Sequence, residues 1–140
     1  MFNMDGKRTT SHIIPYISKG GNLFFFLQKR SEDAERAPRG FSIFGGGVEK
    51  DETPEKAMLR ESKEELNFIP NNYFYVGEYS DGYSISHYYA VEVQDDFESS
   101  IKIGEGDYGK FFSEEEIKNE SKLSKNNKKI LSDLIIHIRY

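Results

Sequence analysis

The sequence contains no cysteine in 140 residues. This excludes disulfide bonds, a thiolate nucleophile and a zinc site built from cysteine. No apolar run approaches the roughly 20 residues that a membrane-spanning helix needs, and the N-terminus lacks the basic and then apolar segments of a signal peptide. We therefore expect a cytoplasmic protein that has no membrane partner.

The sequence also lacks an excess of positive charge, since its formal net charge is −5. General nucleic-acid binding needs a basic surface, so we expect no nucleic-acid partner. With 36% hydrophobic and 14% aromatic residues, the chain can form one packed core. We predict a single domain over residues 1–140 and leave open whether it forms a homodimer.

The clearest local pattern is a helix in the middle of the chain. Thr53 is a favourable N-cap, and Pro54 suits the first helical position, where a missing N–H costs nothing. Glu55 lies near the positive end of the helix dipole. Asn67 tolerates the left-handed backbone that ends helices. The sequence therefore predicts a helix from Pro54 to about Leu66.

One side of this helix is acidic. At about 100° per residue, Glu61, Glu64 and Glu65 fall within an arc of roughly 100°. Like charges at this spacing repel each other, and a divalent cation such as Mg²⁺ or Mn²⁺ would reverse that effect, because both ions prefer hard oxygen ligands. A solvated surface with Arg60 paired to Glu64 would look the same in sequence, so both interpretations stay open here.

Three glycines, at positions 45 to 47, precede the helix. Glycine lets the backbone approach a ligand closely and adopt positive φ. A tight turn from a strand into a loop needs the same residues. The glycines alone therefore do not distinguish a binding loop from a simple turn.

The spacing of the whole segment resembles the Nudix box, the signature of the MutT-like Nudix hydrolases. The matching pattern is Gly46, five residues, Glu52, seven residues, Arg60-Glu61, two residues, Glu64-Glu65. Two positions depart from it, because Ser62 stands where an aliphatic residue is expected and Asn67 where glycine is expected. Neither residue lies on the acidic side of the helix.

The resemblance implies an α+β fold, a Nudix α/β/α sandwich in which a mixed β-sheet is flanked by helices. It also implies Mg²⁺- or Mn²⁺-dependent hydrolysis of a nucleoside diphosphate linked to a group X. A (deoxy)nucleoside triphosphate is one such substrate, and ADP-ribose, nucleotide sugars and dinucleoside polyphosphates remain open. The alternatives are a non-catalytic module that senses a nucleotide and a protein-interaction domain with an acidic surface.

The resemblance further implies roles for individual residues. Metal ligands would be the carbonyl of Gly45 and the carboxylates of Glu61, Glu64, Glu65 and Glu105. The general base would be Glu64 or Glu105, and Asp107 is the substitute for Glu105.

Other residues would support the site or bind substrate. Glu52 would pair with Arg60 and hold the loop against the helix, with Gly46 also structural. Arg30 and Arg39 would contact substrate phosphate, since guanidinium groups match phosphate oxygens.

Hydrophobic patterns and turn residues predict the remaining elements. Pro15 indicates an edge strand or a bulge. Ser113 and Glu116 fit a capping box that begins a short helix. Six tyrosines lie between 73 and 89; core packing is expected for most of them, and stacking on a nucleobase is the alternative. His87 is expected to be a hydrogen-bonded partner, with a role as a base as the alternative. Strands are predicted over 11–18, 23–28, 41–44, 73–79 and 83–93, a loop over 94–110 and a final helix over 125–138.

Overall fold

A computed structural model describes residues 6–29, 40–101 and 108–140. The strands are β1 (Arg8–Lys19), β2 (Asn22–Lys29), β3 (Phe41–Ser42), β4 (Phe44–Gly47), β5 (Phe74–Ser80), β6 (Ser84–Glu92) and β7 (Tyr108–Ser113). The helices are α1 (Pro54–Leu66), α2 (Phe97–Ser100), α3 (Glu114–Asn119) and α4 (Lys125–Arg139). In this part of the chain, no helix has the length and apolarity needed to cross a bilayer.

The strands form one mixed sheet in the order β3-β2-β1-β6-β5, with β4 paired to β1 and β7 paired to β2. β1 runs parallel to β6, and the β1–β2 and β5–β6 pairs are antiparallel hairpins. The buried residues Ile13 and Ile14 are neighbours in β1 and point to opposite faces of the sheet. β1 is thus the central strand and is covered on both sides.

Helices cover both faces of the sheet. Met58 of α1 and Phe97 of α2 share one hydrophobic cluster with Ile13. Leu131 of α4 shares the other cluster with Ile14. The predicted α/β/α sandwich is therefore confirmed.

Three local predictions need correction. Pro15 lies in the central strand. Along β1, the pairing with β4 ends at Ile13 and the pairing with β2 begins at Tyr16, so Pro15 lies between the two partners. The predicted strand 41–44 is interrupted at Ile43, and the glycines that follow are part of β4 and pair with β1. The predicted loop 94–110 contains the short helix α2 and the start of β7.

Both ends of α1 have the predicted caps. The Thr53 hydroxyl accepts a hydrogen bond from the backbone N–H of Lys56 at 3.1 Å. Asn67 adopts the left-handed conformation, with φ of 50°. In addition, the buried hydroxyl of Ser11 donates to the carbonyl of Pro54 at 2.6 Å. The first turn of α1 is thereby attached to the central strand.

Arg60 joins the middle of α1 to the segment before it. Its Nε and Nη2 donate to the two carboxylate oxygens of Glu52 at 2.9 and 3.0 Å. Nη2 also donates to the carbonyl of Gly47 at 2.9 Å. The predicted ion pair is present, and hydrogen bonding from Arg60 lowers the pKa of Glu52 to about 2. The pair holds the end of β4 against the helix.

The lowered pKa of Glu52 predicts a specific loss of stability in acid. Its folded-state pKa lies below the ordinary value of 4.5, so its contribution is complete above about pH 4.5 and is lost as the pH falls towards 2. Glu52→Gln should therefore lower the free energy of unfolding by about 2 kcal/mol at pH 7, and by roughly half as much at pH 3. Urea unfolding at both pH values measures the difference. Glu115→Gln, at an exposed position of α3, controls for the lost charge, and a penalty for Glu52→Gln that stays constant with pH would contradict the prediction.

Ser62 departs from the family pattern at a buried position of α1. It is 1% exposed, and its hydroxyl donates to the carbonyl of Met58 at 2.8 Å. That carbonyl is four residues back, where the helix supplies its own donor, so the hydroxyl adds no essential bond. Ser62→Ala should raise the free energy of unfolding by about 0.5 kcal/mol, in line with helix propensity. Ser132→Ala, exposed on α4, measures propensity alone, and a loss of stability only at Ser62 would show that its hydroxyl stabilises the fold.

Candidate functional site

The acidic side of α1 lies against the glycine strand β4. Glu61 is the more enclosed acid, since its side chain is 15% exposed, and its Oε1 accepts from Arg60 Nη1 at 2.9 Å. Glu64 is 59% exposed, and its Oε2 lies 3.3 Å from the same nitrogen. Glu65 follows and is partly buried. Two of the three predicted carboxylate ligands on α1 therefore share one guanidinium nitrogen.

This arrangement differs from a ready-made ion site. The carboxylates of Glu61 and Glu64 converge on Arg60. Across residues 6–29, 40–101 and 108–140, no three His, Asp or Glu side chains are grouped so that they could hold a metal ion. Three predicted site residues, Arg30, Arg39 and Glu105, lie outside the described residues, as does Asp107.

The donor chemistry nevertheless fits Mg²⁺ or Mn²⁺. Carboxylate and carbonyl oxygens are the ligands these ions prefer. The carboxylate of Glu61 lies so close to β4 that a Cβ added at Gly46 would be 2.5 Å from its Oε1. The residues present on α1 and β4 thus suit the ion by type, and a glycine is required where the acid meets the strand.

Gly45 has its own steric reason to be glycine. Its φ is 155°, and a Cβ there would overlap with Nδ1 of His12 and with the carbonyl oxygen of Ser11. Gly45 therefore separates the acidic helix from the side chain of His12. The predicted metal-binding carbonyl belongs to a residue that is tightly fixed by its neighbours.

His12 is a site residue that the sequence analysis missed. Its ring stacks on Tyr88, with centroids 4.6 Å apart. Its Nε2 lies 3.0 Å from the hydroxyl oxygen of Thr10, which donates to Ser86 at 2.7 Å. Nδ1 is buried and has no hydrogen-bond partner among the described residues. Burial lowers the pKa of His12 to about 4, so the ring is neutral at pH 7.

A sequence signal for His12 does exist. Arg8, Thr10 and His12 alternate with Thr9, Ser11 and Ile13, and such alternation places the first three on one face of a strand. Because Thr9 and Ser11 are polar as well, polarity alone does not distinguish the face that carries His12. The signal is weak without knowledge of which elements face the strand.

A cavity of about 690 Å³ opens over the face of β1 that carries Arg8, Thr10 and His12, and these residues form its floor. The edge of β4 at Gly45 and Gly46 forms one wall, and Asn126 and Asn127 at the start of α4 form another. The hairpin tip that carries Asp81 and Tyr83 forms the rim. The cavity therefore reaches Gly46, which contacts Glu61 on the acidic side of α1, and its neighbour Gly45.

A second hollow, of about 620 Å³, lies on the outer side of α1 and borders Glu64. Its apolar lining comes from Leu59 and Ile69. It lies apart from the glycine strand, whose residues line only the first cavity. The first cavity is thus the one lined by Gly45, which carries the predicted metal-binding carbonyl, and by Gly46, which lies against Glu61.

His87 lies away from both hollows. Its Nδ1 is 2.9 Å from the hydroxyl of Tyr75, and its Nε2 is 3.8 Å from Glu78. This is the hydrogen-bonded role expected from the sequence. Of the tyrosines, Tyr88 and Tyr89 are buried, whereas Tyr75 and Tyr83 are exposed.

Comparison with known proteins agrees with this geometry. Solved structures with the same fold include a MutT/Nudix family protein from Listeria innocua, with 20% identity, 94% of each chain covered and a TM-score of 0.73. The Nudix domain of Shewanella oneidensis NrtR, solved with ADP-ribose, has 13% identity and a TM-score of 0.76. The match covers 94% of this chain and 88% of that chain. The Ap4A hydrolase of C. elegans has 16% identity and a TM-score of 0.70. The match covers 94% of this chain and 98% of that chain.

At these identities the solved structures show a shared fold. No curated protein matches the sequence at a significant level. The model of the Nudix domain, however, matches residues 7–134. The chain therefore belongs to the Nudix family.

Proposed function

We propose that this chain is a metal-dependent pyrophosphohydrolase that cleaves a nucleoside diphosphate linked to a group X. One observation carries the proposal. The carboxylate of Glu61 lies against Gly46, and the polar cavity lies on the other side of Gly45 and Gly46. The acidic side chains proposed to bind a cation and the pocket proposed to bind the rest of the substrate thus lie on either side of Gly45 and Gly46.

The proposed metal ligands are the carboxylates of Glu61, Glu64 and Glu65 and the carbonyl of Gly45. When bound, Mg²⁺ or Mn²⁺ would polarise the phosphate oxygens, neutralise developing charge and lower the pKa of a coordinated water. Glu105 is a further candidate ligand. Arg30 and Arg39 are the proposed phosphate contacts.

Arg60 orients the acids rather than acting on substrate. Its guanidinium is anchored by Glu52 and Gly47, so the nitrogen shared by Glu61 and Glu64 is held in place. An exposed ion pair contributes at most about 1 kcal/mol, so Glu64 can leave Arg60 at little cost. Glu61, being more enclosed, is the acid whose position is set by the fold.

Glu64 is the proposed general base among the described residues, with Glu105 as the alternative. Glu64 is 59% exposed, so solvent and substrate reach its carboxylate. His12 is unsuited to that role, because its Nδ1 is buried and burial lowers its pKa to about 4.

The substrate proposal follows from the cavity. Its volume of about 690 Å³ falls in the range of small-molecule sites. A (deoxy)nucleoside triphosphate, including one with an oxidised base, fits this class. ADP-ribose, nucleotide sugars and dinucleoside polyphosphates are the alternatives.

A second candidate function is a non-catalytic module that senses a nucleotide. The observation in its favour is that Glu61 and Glu64 already accept hydrogen bonds from Arg60. The solved Nudix domain of NrtR with ADP-ribose provides a precedent for ligand binding by this fold. The sensor would bind a nucleotide and release no phosphate product.

Glu64→Gln separates these functions. It should cut turnover at least about 100-fold, given typical contributions of a general base or metal ligand. The fold should stay intact or become slightly more stable, because a negative charge leaves a crowded acidic surface. The assay is release of phosphate products from a panel of nucleoside diphosphate derivatives with Mg²⁺ and with Mn²⁺.

Glu55→Gln provides the matched control, since it removes the same charge from the exposed first turn of α1. It should keep turnover within about twofold. Millimolar Mg²⁺ should raise the melting temperature of the wild type more than that of Glu64→Gln. Near-native turnover in Glu64→Gln would refute the role of Glu64, and a wild type that Mg²⁺ fails to stabilise and that cleaves no member of the panel would refute the hydrolase.

A further inference from the structure

We propose that Tyr83 is a stacking residue for an aromatic base at the rim of the cavity, which makes it a determinant of specificity for nucleotides. This inference rests on the proposed function, because it places the base of the same substrate. It differs from that function in depending on one exposed ring outside the acidic helix.

The Tyr83 ring is unusual in being 85% exposed while its backbone is firmly held. The carboxylate of Asp81 accepts hydrogen bonds from the N–H groups of Tyr83 and Ser84, both at 2.7 Å. The carbonyl of Tyr83 accepts from the N–H of Arg8 at 3.1 Å. These hydrogen bonds therefore hold the backbone from which the ring projects at the mouth of the cavity, and the ring face remains available.

Another exposed tyrosine provides a contrast. Tyr75 is 47% exposed, but its hydroxyl lies 2.9 Å from His87 and its ring lies 5.1 Å from that of Tyr89. Tyr75 also lies outside the cavity lining, whereas Tyr83 lines it. Within the described part of the chain, no aromatic ring stacks on Tyr83. A planar ligand group could therefore occupy that face.

The charges around the cavity favour a neutral part of the ligand. Arg8 and Asp81 are the charged residues of the lining, and their charges are opposite. The remaining polar lining comes from hydroxyls, from the imidazole of His12 and from the amides of Asn126 and Asn127. Each amide offers both donors and acceptors, which match the edge of a nucleobase. Phosphates belong instead on the far side of Gly46, at the acidic helix.

Stacking of a base on an aromatic side chain is sequence-tolerant and contributes substantially to binding. Tyr83→Ala should therefore weaken binding of AMP, GMP, CMP and UMP by about 5- to 150-fold, with purines affected more. Tyr83→Phe keeps the ring, so its affinity for these nucleotides should stay within about twofold of the wild-type affinity. Tyr140→Ala, at an exposed ring outside the cavity lining, should change nothing.

The experiment is isothermal titration calorimetry with the full chain and Mg²⁺, using the four nucleoside monophosphates and ribose 5-phosphate. Unchanged melting temperatures in the variants would show that they are folded. Ribose 5-phosphate has no base, so its binding should be weaker and indifferent to Tyr83→Ala. Equal nucleotide affinities for the wild type and Tyr83→Ala, an equal loss for ribose 5-phosphate, or no nucleotide binding by the wild type would each overturn the proposal.

Hydrolysis assays on the same variants separate this inference from the proposed function. If the wild type hydrolyses nucleoside diphosphate derivatives and Tyr83→Ala leaves KM unchanged, stacking is refuted and the hydrolase stands. If nucleotide binding depends on Tyr83 and no derivative is hydrolysed, stacking stands and the hydrolase is refuted. A raised KM with little change in kcat supports both.

Discussion

The contact between the guanidinium of Arg60 and the segment before α1 is the constraint on which the site depends. Arg60 reaches back to Glu52 and to the carbonyl of Gly47, so one helical side chain fixes both the approach to the helix and the end of β4. The remaining nitrogen then faces Glu61 and Glu64. This anchor adds a direct link between the acids and the glycine strand to the pairing of β4 with β1 and the bond from Ser11 to the first turn of α1.

The same guanidinium explains how the fold tolerates a crowded acidic surface. Like charges one turn apart on a helix repel each other. In this structure Arg60 pairs with both Glu61 and Glu64, but its single positive charge is shared with Glu52 as well and offsets only part of the negative charge. A divalent cation would supply further positive charge in the proposed enzyme. The exposed Glu64 is the acid that can exchange between the two partners.

The central strand β1 places the two halves of the site. Ser11 points towards α1 and donates to its first turn, whereas the next residue, His12, belongs to the floor of the cavity. Adjacent residues of a strand face opposite sides of the sheet. The acidic helix and the cavity are therefore held on opposite faces of one strand, and they meet at Gly45 and Gly46. A side chain at either glycine would collide with His12 or Glu61.

Local features of this chain could be predicted from sequence because their hydrogen bonds join residues three or four apart. The caps at Thr53, Asn67 and Ser113 are of this kind. The acidic side of α1 is likewise local, because residues three and four apart lie on the same side of a helix. Alternation and apolar runs likewise indicated most strands, and the spacing of the glutamates identified the family.

The tertiary structure decided what depends on pairing between distant segments. The glycines became a strand because β4 pairs with β1 more than 30 positions earlier, and Pro15 is tolerated because two strands share one side of β1. The cavity brings His12 together with Tyr83 and Asn126, and no local pattern encodes that meeting. The sequence by itself determined the helix and the residues of its acidic side. The tertiary structure alone decided which residues face that helix, because strand register and layer packing are set by contacts across the whole chain.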